Sequence, residues 1–138
     1  MSDTDKDYVL DLCDEVIGQP CERRYTFDWL RGDPPAPGRE GKKLPAIGGY
    51  WPDLRLVVEY RGPHFDQPER HYANRATVSG VERDEQRVIY AARRDELIPQ
   101  HGLRLVVVGS RHLGHDSSGK LTRDRAHDLE ALRSLLAP

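Results

Sequence analysis

Glu59 and Arg61 lie two residues apart in the run Leu56-Val57-Val58-Glu59-Tyr60-Arg61. On a strand, residues at that spacing point to one face, together with Val57. A carboxylate among aliphatic side chains costs free energy unless a cation or a hydrogen-bonding partner meets it. Two chemistries satisfy Glu59. It closes an ion pair with Arg61 at the strand end, or it offers its oxygens to a hard divalent cation while Arg61 stabilises an anion. Arg61 cannot serve as a base, because its guanidinium stays protonated.

The cation chemistry needs a second carboxylate. Pro52-Asp53 is a turn signal, and a turn centred there sets residue 48 opposite residue 59 in an antiparallel hairpin. Asp53 then stands about six residues along the strand from Glu59, some 20 Å away. The residue facing Glu59 is Gly48, which has no ligand atom, and Gly49 beside it loosens the strand. Asp28 is the candidate replacement. If the preceding strand also forms a hairpin, with its loop near Pro37-Gly38, Asp28 comes beside residues 47 and 48. The alternative leaves Asp28 as an outward-facing polar residue. Glu15 ranks below it, since it points away from the apolar face of its helix.

The elements that position these residues follow from periodicity. Val9, Leu12, Cys13, Val16 and Ile17 recur at helical spacing, with Gly18 and Pro20 as stop signals. Residues 24–30 read as a strand, 32–38 as a Pro- and Gly-rich loop, 44–51 as a second strand and 55–61 as a third. Residues 62–74 form a long loop, of a length that is often functional. Ser79-Gly80-Val81-Glu82 is a capping box for a helix ended by Pro99 and Gly102. A fourth strand follows over 103–108, then a polar loop over 109–119. Thr122 or Asp124 caps a last helix bearing Leu129, Leu132, Leu135 and Leu136. The order α-β-β-β-α-β-α is a meander followed by a crossover. It predicts one α/β (α+β) domain over 1–138, a mixed sheet flanked by helices.

The 138 residues suffice for one core, and 32% charged residues indicate a polar, soluble chain. The aliphatic runs are too short to cross a bilayer. The acidic start is unlike a signal peptide. Cys13 and Cys21 form no disulfide framework, so a cytoplasmic location is expected. The net charge of −2 hides a segregation: residues 1–22 carry seven acids against one Lys, and 23–43 are basic. Arg39, Lys42 and Lys43 of the basic stretch are candidate nucleic-acid contacts, or a solvated loop.

The stretch Gly48-Gly49-Tyr50-Trp51-Pro52-Asp53-Leu54-Arg55-Leu56-Val57-Val58-Glu59-Tyr60-Arg61-Gly62-Pro63-His64, set in this element order, resembles the PD-(D/E)XK superfamily. It is most similar to the small very-short-patch-repair-like endonuclease domains. The resemblance implies a restriction-endonuclease-like core, α-β-β-β-α-β, with a C-terminal helix. It implies a DNA endonuclease that hydrolyses phosphodiesters with Mg²⁺ or Mn²⁺ activating water and neutralising the phosphate. Glu59 would then be a metal ligand, with Asp28 as the second. Arg61 would occupy the usual Lys position, and His64 would sit at the mouth of the site. Double-stranded DNA is the implied partner, and a homodimer would suit cleavage of both strands. Gly48 stands where the resemblance calls for an Asp. A site emptied in this way leaves a degenerate fold that binds DNA or protein without cutting.

Other signals are weaker. Arg83, Arg87, Tyr90 and Arg94 fall on one helical stripe, opposite Val81, Val88 and Ala92. The stripe is a candidate phosphate contact, Arg83 and Arg87 above all, or an ordinary exposed Arg face balanced by neighbouring acids. His112-x-x-His115-Asp116 carries ligand-type residues but lacks the further ligands of a zinc site. No Ser-His-Asp or Cys-His triad and no Gly-rich phosphate loop is present.

Overall fold

Thr4 opens the first helix, α1 (Asp5–Ile17), by accepting the Asp7 N–H on its hydroxyl oxygen at 3.2 Å. Asp5 and Asp7 fall in the first turn, where the helix dipole favours acids. Val9, Leu10, Leu12 and Cys13 form the buried face, and the helix ends at Gly18. The computed structural model describes residues 4–31, 38, 43–45, 48–62 and 83–137.

Six strands and two more helices follow: β1 (Glu22–Arg23), β2 (Thr26–Arg31), β3 (Lys43–Pro45), β4 (Gly48–Trp51), β5 (Leu56–Arg61), α2 (Arg83–Gln100), β6 (Arg104–Gly109) and α3 (Arg125–Leu136). Four strands form one sheet in the order β1-β4-β5-β6, and β2 pairs with β3 apart from it. β4 runs antiparallel to β5, and β5 runs parallel to β6 with α2 between them in sequence. The sheet is mixed and flanked by helices, as the patterning implies. Among the described residues no helix is long and apolar enough to cross a membrane.

Two expectations are corrected. The strand read over 24–30 does not join the main sheet. Its edge place is taken by β1, which pairs Glu22 with Tyr50 and Arg23 with Gly49. Arg24, at φ 63°, turns the chain out of that sheet before β2 begins. The strand read over 44–51 is two strands, because its first part pairs with β2 and its second with β5. Smaller differences concern the helix ends. Pro99 lies inside α2 near its end, and Asp124, not Thr122, caps α3 by accepting the His127 N–H at 3.3 Å. The Ser79–Glu82 capping box and residues 63–74 of the long loop lie outside the described residues.

β5 is the axis of the fold. Its first four residues are buried, as a strand covered on both faces must be. Leu56 and Val58 face α1 and α3, in a core with Val9, Leu12, Val108 and Leu132. Val57 faces the other way, in a second core with Phe27 and Leu30 of β2 and Ile98 of α2. By strand alternation Glu59 and Arg61 share the α2 side with Val57.

The helical layer of α1 and α3 is fastened by a buried acid. Asp128 of α3 is fully buried. It accepts the Tyr8 O–H of α1 and the Gly114 N–H at 2.8 Å, and it meets His127 Nδ1 at 3.2 Å. Arg104 of β6 closes the far end of α3 by donating to the carbonyls of Leu135, Leu136 and Ala137 at 3.2, 3.3 and 2.8 Å.

Removing the acceptor strands two buried donors, so Asp128→Ala should lower unfolding stability by about 3 kcal/mol and Tyr8→Phe by about 1 kcal/mol. Urea denaturation measures both, and equal losses would mean that Gly114 contributes nothing. Burial pushes the Cys13 thiol up to about 12 and the Cys21 thiol up to about 11. Both hold their protons more tightly folded than unfolded. This stabilisation is therefore intact below the ordinary thiol range and lost as pH rises through 11 and 12. Iodoacetamide at pH 8 should label neither thiol before urea unfolds the chain, and the urea midpoint should fall as pH climbs from about 9.

Candidate functional site

Glu59 sits in mid-sheet, with Gly48 of β4 on one side and Val107 of β6 on the other. Its side chain is only 2% exposed. Arg61, one pleat further on, turns back and donates from Nε to Glu59 Oε1 at 2.8 Å. The outer edge of the same guanidinium grips α2. Nη1 and Nη2 donate to the two oxygens of Asp95 at 3.2 and 2.7 Å, and Nη2 reaches the Ala91 carbonyl at 3.4 Å. One planar fork thus bridges a buried carboxylate on the strand and a half-exposed one on the helix. Burial pulls the Arg61 guanidinium down, but its bonds to Asp95 and Glu59 outweigh that and leave it above its ordinary value.

Arg94 stands in the same layer with a different balance. It is 6% exposed, and its Nε has no hydrogen-bond partner among the described residues. Burial lowers its guanidinium below the ordinary value, and the charge of Arg61 works in the same direction, against Glu59 and Asp95. The exposed-stripe alternative for α2 is therefore corrected at Arg94, which faces inward with Ala91 and Ile98, while Val88 is 40% exposed. Helical periodicity explains this. Ala91 and Ile98 are seven residues apart on one stripe, and Arg94 falls between them.

Beside the network, a cleft of about 260 Å³ opens between α2 and the ends of β5 and β6, lined by Arg61, Asp95, Val88, Ala92, Val107 and Arg111. Ligands of sheets with parallel strands commonly bind beyond such strand ends.

The register expected from the Pro52-Asp53 turn is the one found: Gly48 pairs with Glu59 and Trp51 with Leu56. Asp53 is exposed in the turn at the opposite end of β5. A Cβ at Gly48 would fall 1.6 Å from the Val58 carbonyl oxygen, so the backbone there has no room for any side chain. Gly49 is a packing position rather than a loose one, since a Cβ there would meet Cys21 Sγ at 2.6 Å. Asp28 does not come beside residue 48. It is exposed on β2, which pairs with β3 from Thr26 and Pro45 onward. Glu15 is exposed and pairs with Arg125 on the α1–α3 side. A divalent cation needs converging carboxylate oxygens, but Arg61 already bridges Glu59 and Asp95, and residue 48 can supply none. The described donor set does not fit the cation.

The remaining candidates are only partly placed. Arg39, Lys42 and His64 lie outside the described residues. Lys43 is in β3, and Arg83 and Arg87 are in α2, with their side chains outside the description. The sequence reading missed Asp95 and Arg111 as parts of the cleft wall and Arg94 as a buried neighbour of Glu59. The spacing of Ala91, Arg94, Asp95 and Ile98 on the crossover helix was the available signal. No family model, no curated protein and no solved structure matches the chain.

Gly48→Ala tests the closeness of β4 to β5. Its methyl must push β4 away from Val58, so stability should fall by about 3 kcal/mol in urea denaturation. An unchanged midpoint would show that β4 moves aside without cost.

Proposed function

We propose that this chain is a restriction-endonuclease-like domain that binds double-stranded DNA and does not cut it. The observation that carries this reading is the pairing of Glu59 with Gly48, whose Cβ position is filled by the Val58 carbonyl. The resemblance calls for a carboxylate there, and an Asp could enter only by displacing the strand. The carboxylate that remains is held by Arg61. A guanidinium now stands between Glu59 and Asp95 in place of the cation expected from the resemblance. Its donors are engaged by Glu59, Asp95 and the Ala91 carbonyl, so the network closes on itself rather than around a cation, and it does not activate water. Duplex binding then rests on the resemblance in element order and on the basic stretch that carries Arg39, Lys42 and Lys43.

Two measurements test this. Fluorescence anisotropy with a labelled duplex should show binding that weakens steeply as salt is raised, because phosphate contacts release counterions. Supercoiled plasmid incubated with the protein and Mn²⁺ should stay intact. Nicking by the wild-type protein that Glu59→Gln abolishes would restore the metal-dependent endonuclease reading. Absence of duplex binding even at low salt would remove DNA as the partner.

A further inference from the structure

β6 is the last strand of the main sheet, with β5 on one side and, among the described residues, no strand on the other. In a parallel pair the N–H and C=O of one residue point the same way, and successive residues alternate. The Arg104 N–H donates to the Arg55 carbonyl at 2.8 Å, in the register that pairs Arg104 with Leu56. Arg104, Val106 and Val108 therefore direct their backbone groups at β5, and Leu105, Val107 and Gly109 direct theirs outward. His112 Nδ1 accepts the Gly109 N–H at 2.9 Å. Leu105 and Val107 have no such partner among the described residues, so each leaves a backbone donor and an acceptor on the open edge.

Sheets guard such an edge with Pro, Lys, a bulge or a very short strand. The opposite edge is guarded in the last way, since β1 has only two residues. β6 has no guard of this kind. Its sequence, Arg-Leu-Val-Val-Val-Gly, holds neither Pro nor Lys, and its register with β5 is unbroken from Arg104 to Gly109. Its one charged side chain, Arg104, is engaged by the carbonyls at the end of α3. The flank of the edge is apolar as well. Val88 and Ala92 of α2 are exposed, and they line the same cleft as Val107 and Gly109.

We infer that β6 is the interface for a second copy of this chain, whose own β6 pairs with it antiparallel about a two-fold axis at Val106 and joins the two sheets into one. The edge is complementary to itself. In this register Leu105 of one copy faces Val107 of the other, and both hydrogen bonds of each such pair close. The same surface on each copy satisfies the other, as a two-fold interface requires. Arg104 of one copy faces Val108 of the other, so like charges do not meet in the ladder. The two α2 helices lie on the same face of the joined sheet, with Val88 and Ala92 turned towards the seam, where their apolar surface leaves water. This pairing does not depend on DNA binding.

Sedimentation velocity across a dilution series from millimolar to micromolar chain should show dimers giving way to monomers. Amide hydrogen exchange locates the contact. The Leu105 and Val107 amides should gain protection as chain concentration rises, while β5 protects those of Val106 and Val108 throughout. Val107→Pro removes an outward donor and leaves the ladder with β5 intact. Val88→Glu sets a charge at the seam from an exposed helical position. Each should raise the dimer dissociation constant on the order of tenfold. Leu54→Glu, at an exposed apolar residue in the turn between β4 and β5, should leave it unchanged. If the proline unfolds the chain, Val88→Glu decides. A monomer at millimolar concentration would overturn the inference and leave the edge to a strand of a different protein. A dimer whose Leu105 and Val107 amides stay unprotected, or one that Leu54→Glu weakens as much as Val88→Glu does, would overturn it too.

Discussion

A carboxylate locked in the middle of a sheet has to be neutralised from inside the protein, and much of the architecture around Glu59 follows from that demand. Arg61 meets it from the same strand and face, at the spacing that strand alternation provides. Bending back towards Glu59 leaves the outer edge of the guanidinium for Asp95 and the Ala91 carbonyl. The crossover helix is therefore held to β5 by directional polar contacts at this end. At the other end Ile98 packs apolarly against Val57. Breaking such a pair by removing one partner is costlier than never having it, so Glu59 and Arg61 constrain each other.

The two faces of the sheet are organised differently. On the α1–α3 face, Leu56, Val58, Val106 and Val108 lie in a continuous aliphatic core, with polar groups entering through Asp128 and Tyr8. On the α2 face, aliphatic contacts are fewer and aromatic rings fill the space. Phe27 stacks on Trp29 within β2, Tyr25 just before the strand meets Phe27, Tyr50 meets Tyr25 and Phe27, and Trp29 stacks on His101 with ring centroids 3.8 Å apart. The network of Glu59, Arg61, Arg94 and Asp95 belongs to this second face. The face with the less uniform core is the one that opens into the cleft.

Local rules made much of this legible. The helical spacing of Val9, Leu12 and Cys13 gave α1, and the aliphatic runs gave β5 and β6. The Pro52-Asp53 turn gave the register that sets Gly48 against Glu59. What local rules could not supply was partner choice. Residues 26–31 read equally well as a strand in either sheet, and the switch at Arg24 depends on a left-handed backbone that nothing around an arginine announces. The placement of Asp28 failed for the same reason, since it assumed one continuous sheet. The α2 stripe was misjudged because arginines usually mark an exposed face. Here a buried carboxylate on another element reverses that preference, and such a dependence spans some 35 residues of sequence, from Glu59 to Arg94.

The tie between Tyr8 and Asp128 joins residues 120 positions apart, and Leu132 completes the core into which α1 packs. On a ribosome α1 emerges well before α3, which covers part of its apolar face. Before α3 is made, the apolar face of α1 can meet Trp51, Leu56 and Val58 of β4 and β5 but neither Leu132 nor Asp128. The contacts of α1 therefore close in two stages, strands first and α3 second. The layer of α1 and α3 is complete only once Leu132 and Asp128 are in place, so the part of the α1 face that they cover stays open longest during synthesis.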